Sequence, residues 1–219
     1  MADTRLTGIS RRTLAGAALS AVATAALPRR AVAARGKVVT MLGDSITAGY
    51  GLPAHDALPV QLQAALAALH VDAVVRGAGV SGDTSADGAA RVDFSVRPDT
   101  RVVVVALGGN DLLQGLDPKA TAANLERIIT RVKARHMGVV LAGLRAPDAI
   151  GRGYARDFDA VFPALAKRLG VALYPDLLAG VARNPALNQG DGIHPNARGV
   201  KIIAARLAPV VAHALKDRA

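Results

Sequence analysis

The sequence predicts an α/β domain, a three-layer α/β/α sandwich on a mainly parallel five-stranded sheet. Three observations carry that expectation. From Lys37 onward, strand-like and helix-like segments alternate, the pattern of a parallel sheet covered by helices on both faces. The first strand-like segments are continuous apolar runs, such as Val102-Val103-Val104-Val105, as strands buried on both faces require. Loops rich in Gly, Asp, Asn and Ser follow the first three strands, at the sheet edge where open parallel sheets bind ligands.

The elements follow in order. Residues 38–42 read as the first strand, closing abruptly in Gly43-Asp44-Ser45. Leucines at 58, 62, 66 and 69 give one apolar face to a helix over residues 58–69, and Pro59 is tolerated in its first turn. Residues 71–75 read as a second strand, 77–84 as a glycine-rich loop, and 85–94 as a short helix ended before Pro98. The third strand covers residues 101–107 and runs into Gly108-Gly109-Asn110-Asp111. Pro118 opens a long helix with Leu125, Ile128, Ile129 and Val132 on its apolar positions. A fourth strand at 139–144, a polar loop at 145–153 and a helix at 154–169 precede a short fifth strand at 171–173. Residues 179–190 are irregular, and 197–215 form a last helix with Val200, Ile203, Ala204, Leu207 and Val211 on one side. No repeat or low-complexity linker interrupts residues 34–219, which read as a single domain.

Residues 1–33 are set apart from this fold. Ser10-Arg11-Arg12-Thr13-Leu14 precedes a mildly apolar, Ala-rich stretch, and Ala31-Val32-Ala33 supplies a small-x-small cleavage site. The combination resembles a twin-arginine export signal, so the expected location is periplasmic or secreted. The apolar stretch is shorter than the ~20 residues a membrane-spanning helix needs. The chain contains no cysteine, which excludes disulfides, thiol nucleophiles and cysteine-based zinc sites. Its net charge is +10, but residues 1–33 hold five arginines against Asp3 alone, leaving 22 Lys/Arg against 16 Asp/Glu elsewhere. Those charges are mixed, without the interleaved basic and aromatic residues that grip nucleic acid. No nucleic-acid partner is expected, and a monomer is.

The chemistry begins at Ser45. A serine hydroxyl is a poor nucleophile unless a base takes its proton during attack. Of the five histidines, His55, His70, His136 and His213 read as surface or helix-end residues. His194 differs, because Asp191-Gly192-Ile193-His194-Pro195 places a carboxylate three residues before the imidazole. That unit can hold one ring nitrogen and leave the other facing a hydroxyl. Two such residues are too few for a metal site. The backbone N–H of Gly82 and the side-chain amide of Asn110 are candidate donors to a developing oxyanion. Neither glycine loop carries a Walker lysine or a dinucleotide fingerprint.

These blocks together resemble the GDSL or SGNH hydrolase family. Gly43-Asp44-Ser45, Ser81-Gly82-Asp83-Thr84, Gly108-Gly109-Asn110-Asp111 and Asp191-Gly192-Ile193-His194-Pro195 are similar to four of its sequence blocks, in order. The stretches from Leu42 to Gly51 and from Val80 to Ser85 are most similar to its exported arylesterase, acyl-CoA thioesterase I and lysophospholipase branch. The resemblance implies a flavodoxin-like sheet and hydrolysis of carboxylic esters or thioesters without metal or organic cofactor. It implies Ser45 as nucleophile, His194 as base, Asp191 as its orienting acid, and an oxyanion hole of Ser45 N–H, Gly82 N–H and Asn110. Leu112, Leu113 and Leu116, just after Asn110, are expected to border the acyl group of a small-molecule substrate. The alternatives are a carbohydrate O-acetyl esterase on the same fold and a non-catalytic exported binding protein. Relatives often carry Asn before the second block, where this chain has Gly77, and the departure puts the rigidity of that loop in question.

Overall fold

Five strands carry the site, and their register explains why it forms. The computed structural model describes residues 37–217; the export signal expected in residues 1–33 lies outside them. Strands β1 (Lys37–Gly43), β2 (Ala73–Gly79), β3 (Thr100–Ala106), β4 (Gly138–Ala142) and β5 (Ala172–Tyr174) form one sheet in the order β2-β1-β3-β4-β5. All four pairings are parallel. Gly43 at the end of β1 pairs with Gly79 of β2 on one side and Ala106 of β3 on the other. Three strands therefore stop at one level, and the loops that leave them start side by side. The chain turns outward in opposite senses from β1, to β2 and to β3, which makes this the topological switch point of the sheet.

Helices cover both faces. Helix α2 (Leu58–Ala68) packs with α7 (Ala197–Lys216) on one face, while α3 (Ser85–Ser95), α5 (Pro118–Ala134) and α6 (Arg152–Leu169) line up on the other. The apolar positions read from the sequence are the buried ones: Leu58, Leu62 and Leu66 on α2, Leu125, Ile128, Ile129 and Val132 on α5, and Val200, Ile203, Ala204, Leu207 and Val211 on α7. Leu69 departs from that pattern, because α2 ends before it and its side chain is exposed. Two short helices, α1 (Ser45–Ala48) and α4 (Gly109–Leu113), sit where β1 and β3 end.

The second strand differs from its expected bounds. It covers Ala73–Gly79 rather than residues 71–75, so Arg76-Gly77-Ala78-Gly79 lie in the sheet and not in a loop. Ladder pairing with the central β1 outweighs the weak strand preference of Gly and Ala. Small residues are also needed there. A Cβ on Gly77 would stand 3.0 Å from the Pro59 ring, and one on Gly79 would lie 2.7 Å from the Asp44 carbonyl oxygen. Gly77 thus sits in a paired strand beneath α2, and the question of loop rigidity raised by the missing Asn does not arise at that position.

Candidate active site

Ser45 is the first residue of α1. Its neighbour Asp44 caps that helix: Asp44 Oδ1 accepts from the N–H of Ile46 at 3.0 Å, satisfying one of the free donors of a helix start. Asp44 is only 4% exposed, and burial pushes its carboxyl up to about 6, since a desolvated carboxylate is disfavoured. Gly43 is obligatory by space, because a Cβ there would collide with the Thr47 side chain and stand 2.9 Å from the Ala106 carbonyl oxygen. The absence of a side chain lets α1 fold tightly against the end of β3.

His194 reaches Ser45 from the far end of the chain. Its Nε2 lies 2.9 Å from Ser45 Oγ, and its Nδ1 lies 2.6 Å from Asp191 Oδ2. Asp191 Oδ1 also accepts the backbone N–H groups of Ile193 at 2.9 Å and His194 at 3.0 Å. The backbone N–H of His194, its ring and the N–H of Ile193 together hold the Asp191 carboxyl down to about 2. The segment is closed on itself: Gln189 N–H donates to the His194 carbonyl at 2.8 Å, and Gly192 takes the left-handed φ of +70° that the turn requires. The Gln189 amide donates to the carbonyls of Tyr50 at 2.8 Å and Pro195 at 3.1 Å. The Tyr50 ring packs against the imidazole with centroids 4.8 Å apart. Asn196 then caps α7 by accepting from Arg198 and Gly199, fixing where the loop ends.

The other two blocks stand beside Ser45. Asn110, in the first turn of α4, donates from Nδ2 to the Asp83 carbonyl at 2.8 Å, and its second amide hydrogen remains available. Gly82 is exposed with φ +89°. Among the described residues, neither the Gly82 nor the Ser45 backbone N–H has an internal hydrogen-bond partner. Asp44, Ser45, Asn110 and His194 line one cavity of about 100 Å³, with Ile46, Leu112, Leu113, Leu144, Leu178 and Ile193 as its apolar walls and Arg145 at its edge. Gly82 does not line it. Leu116 does not either; its carbonyl accepts from the Tyr154 hydroxyl at 2.8 Å.

Several residues that serve this site were not marked by the sequence. Leu144, Leu178 and Ile193 complete the cavity; Leu144 stands just past β4, where the same edge argument would have found it. Asp111 is 1% exposed. It accepts from the Ser85 N–H at 2.7 Å, from the Ser85 hydroxyl and from Thr121 Oγ1 at 3.0 Å. It thereby ties the start of α3 to α4, next to Asn110. Among the described residues, no group of three or more His, Cys, Asp or Glu is placed to share a metal ion.

A serine, a histidine and an aspartate in a hydrogen-bonded line, opening on an apolar cavity with free N–H donors, is an arrangement suited to acyl transfer. The comparisons agree with it. Escherichia coli (strain K12) thioesterase 1/protease 1/lysophospholipase L1 is 38% identical over 186 residues, covering 83% of this chain and 88% of that protein. The arylesterase of Vibrio mimicus is 35% identical over 156 residues, covering 71% of this chain and 78% of the other. The crystal structure of TesA superposes with a TM-score of 0.76 at 33% identity, covering 80% of this chain and 98% of that one. The GDSL-like lipase/acylhydrolase model matches residues 41–202, a span holding all four blocks. By sequence, by fold and by the chemistry gathered at Ser45, this chain belongs to the GDSL-like lipase/acylhydrolase family and is an ester hydrolase.

Proposed function

We propose that Ser45, His194 and Asp191 run a two-step acyl transfer on carboxylic esters or thioesters. Ser45 Oγ attacks the substrate carbonyl carbon as His194 Nε2 takes its proton. Asp191, bonded to Nδ1–H, holds the ring in the required tautomer and stabilises the imidazolium. The negative charge that develops on the carbonyl oxygen meets the Ser45 and Gly82 N–H groups and the Asn110 amide. The alcohol or thiol leaves with the proton from His194. Water then attacks the acyl-Ser45 ester, giving up its proton to His194, and the carboxylic acid departs as Ser45 recovers its hydrogen. The observation that carries this reading is the 2.9 Å contact between His194 Nε2 and Ser45 Oγ with Asp191 2.6 Å behind it. A pre-formed nucleophile–base–acid line of that kind also speaks against the non-catalytic binder.

The cavity narrows the substrate. Its walls are apolar, with Leu112, Leu113, Leu144, Leu178 and Ile193 around the Ser45 hydroxyl, which favours an apolar acyl group. Longer acyl chains extend over exposed Leu113 and Ile193. The test is hydrolysis of p-nitrophenyl esters from acetate to palmitate by wild type and Ser45→Ala, with fluorophosphonate labelling of Ser45. Loss of both activity and label in the variant is the expected result, and the chain-length optimum of the wild type reports how far the acyl group reaches along the apolar walls. Equal activity in the two proteins removes Ser45 as nucleophile.

We also propose that residues 1–33 direct export and that the hydrolase acts as a monomer. N-terminal sequencing of protein recovered from the periplasm or medium should begin after Ala33, and light scattering should return the mass of one chain. No helix among the described residues is long and apolar enough to cross a membrane.

A further inference from the structure

The three proposed oxyanion donors come from three separate segments, and a single side chain bonds to two of those segments directly and reaches the third through Asp83. Arg91 lies on α3, with its side chain only 19% exposed. Its Nε donates to Asp83 Oδ2 at 2.5 Å, its Nη1 to the Ala78 carbonyl and to Ser95 Oγ at 2.9 Å each, and its Nη2 to the Gly43 carbonyl at 2.8 Å. Four of the five guanidinium N–H groups are thus committed. The Gly43 carbonyl is at the end of β1, two residues before Ser45. The Ala78 carbonyl is at the end of β2, where the Gly82 loop begins. Asp83 belongs to that loop, and its own carbonyl receives the Asn110 amide at 2.8 Å.

We propose that Arg91 is a positioning residue for acyl transfer, holding the Ser45, Gly82 and Asn110 donors in one arrangement. The inference rests on the reading of those three groups as the oxyanion site. Donors act on a transition state only when they are fixed before it forms, and active groups must be held to within about 0.5 Å of the productive geometry. Among the described residues, no other side chain bonds to the ends of β1 and β2 and to the Asp83 loop together. The backbone ties the two strand ends through the parallel β1–β2 ladder, which reaches Gly43 and Gly79, and through the Val80 N–H donating to the Gly43 carbonyl at 3.1 Å. The planar fork of arginine is what allows one residue to serve acceptors in several directions, and a lysine point charge cannot replace it at such a site.

The test counts active sites with a fluorophosphonate titrant and reports kcat per titrated site on p-nitrophenyl acetate for Arg91→Lys and Arg91→Ala. A displacement of about 1 Å at remote support is associated with losses of about 10²-fold. The alanine variant is therefore expected to lose about 10²-fold in kcat per site with KM within about twofold, since ground-state binding is left in place. The lysine variant should fall between it and the wild type. Low, non-denaturing guanidinium chloride should restore part of the alanine variant's kcat, whereas sodium chloride at equal ionic strength should not. If the variants merely contain fewer titratable sites, each turning over at the wild-type rate, Arg91 is only a stability contact and the proposal is overturned. Should the alanine protein not fold, the lysine variant decides by the same measure. Failure here remains distinct from failure of the catalytic reading, which would show as an active Ser45→Ala protein.

Discussion

Replacing Asp44 by Asn should stabilise the protein in alkaline solution and leave it unchanged in acid. Burial raises the Asp44 carboxyl from its ordinary 3.8 to about 6, so the folded protein binds this proton more tightly than the unfolded chain. Its contribution to stability is therefore fully present below pH 4 and is lost as pH rises through 6. At 1.36 kcal/mol per pH unit, ionised Asp44 costs the folded state about 3 kcal/mol by pH 8. Asn keeps the shape and the oxygen that accepts from the Ile46 N–H at 3.0 Å, so the cap survives and only the charge is removed. Urea denaturation at pH 4 and pH 8 measures the difference between the two proteins. It should open from near zero to about 3 kcal/mol in favour of Asn, or roughly 6–12 °C in Tm at pH 8. Asp191 does not confuse the window, because its carboxyl is held near 2. Its stabilisation is present above pH 4 and is lost only toward pH 2. A difference that is flat with pH, or that favours Asp44 at pH 8, refutes the reasoning.

Three further outcomes test the site. Asn110→Ala should lower kcat by about 10²–10³-fold with little change in KM, as loss of one oxyanion donor does; an effect confined to KM would remove Asn110 from the transition state. Leu144→Phe enlarges a wall residue of the cavity, so kcat/KM for butyrate should fall relative to acetate, and an unchanged chain-length profile would place the acyl group elsewhere. Ser85→Ala takes a hydrogen bond from the buried Asp111 carboxylate, which should cost about 1–3 kcal/mol in thermal or urea unfolding. A stability loss within error would mean that Asp111 does not depend on Ser85.

The parts of the fold that could be read directly are those where side-chain pattern and backbone structure coincide. The valines of β3 and the apolar faces of α5 and α7 are of this kind, since burial on a strand or helix imposes the spacing that is seen. The extent of β2 was not legible, because Arg76-Gly77-Ala78-Gly79 owes its strand conformation to pairing with β1 and to the space required by α1 and α2. Local preference carries no trace of either. In the site, Ser45, Asp191 and His194 could be picked out together because the proposed chemistry needs a base and an acid of particular types, and the structure brings the three into one hydrogen-bonded line. Arg91 was not, since an arginine on a helix looks the same in sequence whether it reaches solvent or the carbonyls of two strands. Which of Leu112, Leu113 and Leu116 line the cavity was not legible either, because residue type alone does not say which way a leucine faces.

The two aspartates nearest the chemistry show how environment separates residues of one type. Asp44 adjoins Ser45, the proposed nucleophile, yet it is buried, and burial makes it a reluctant anion. A carboxyl in that state is a poor partner for a histidine that must become positively charged during the reaction. Asp191 lies 146 residues further along the chain from Ser45. It is partly open to solvent, with three N–H donors converging on its two oxygens. Those donors hold its carboxyl down to about 2, and an ionised carboxylate is what favours an imidazolium beside it. The same logic predicts unequal catalytic outcomes for the same substitution. Asp191→Asn should cost roughly 10⁴-fold in kcat, the scale associated with losing the acid of a serine triad. Asp44→Asn, which leaves the cap and the triad in place, should remain within about tenfold of wild type at pH 8, because no transition-state contact is removed. Rates measured for both variants per titrated Ser45 would decide it, and a larger loss at Asp44 than at Asp191 would exchange the roles given to them.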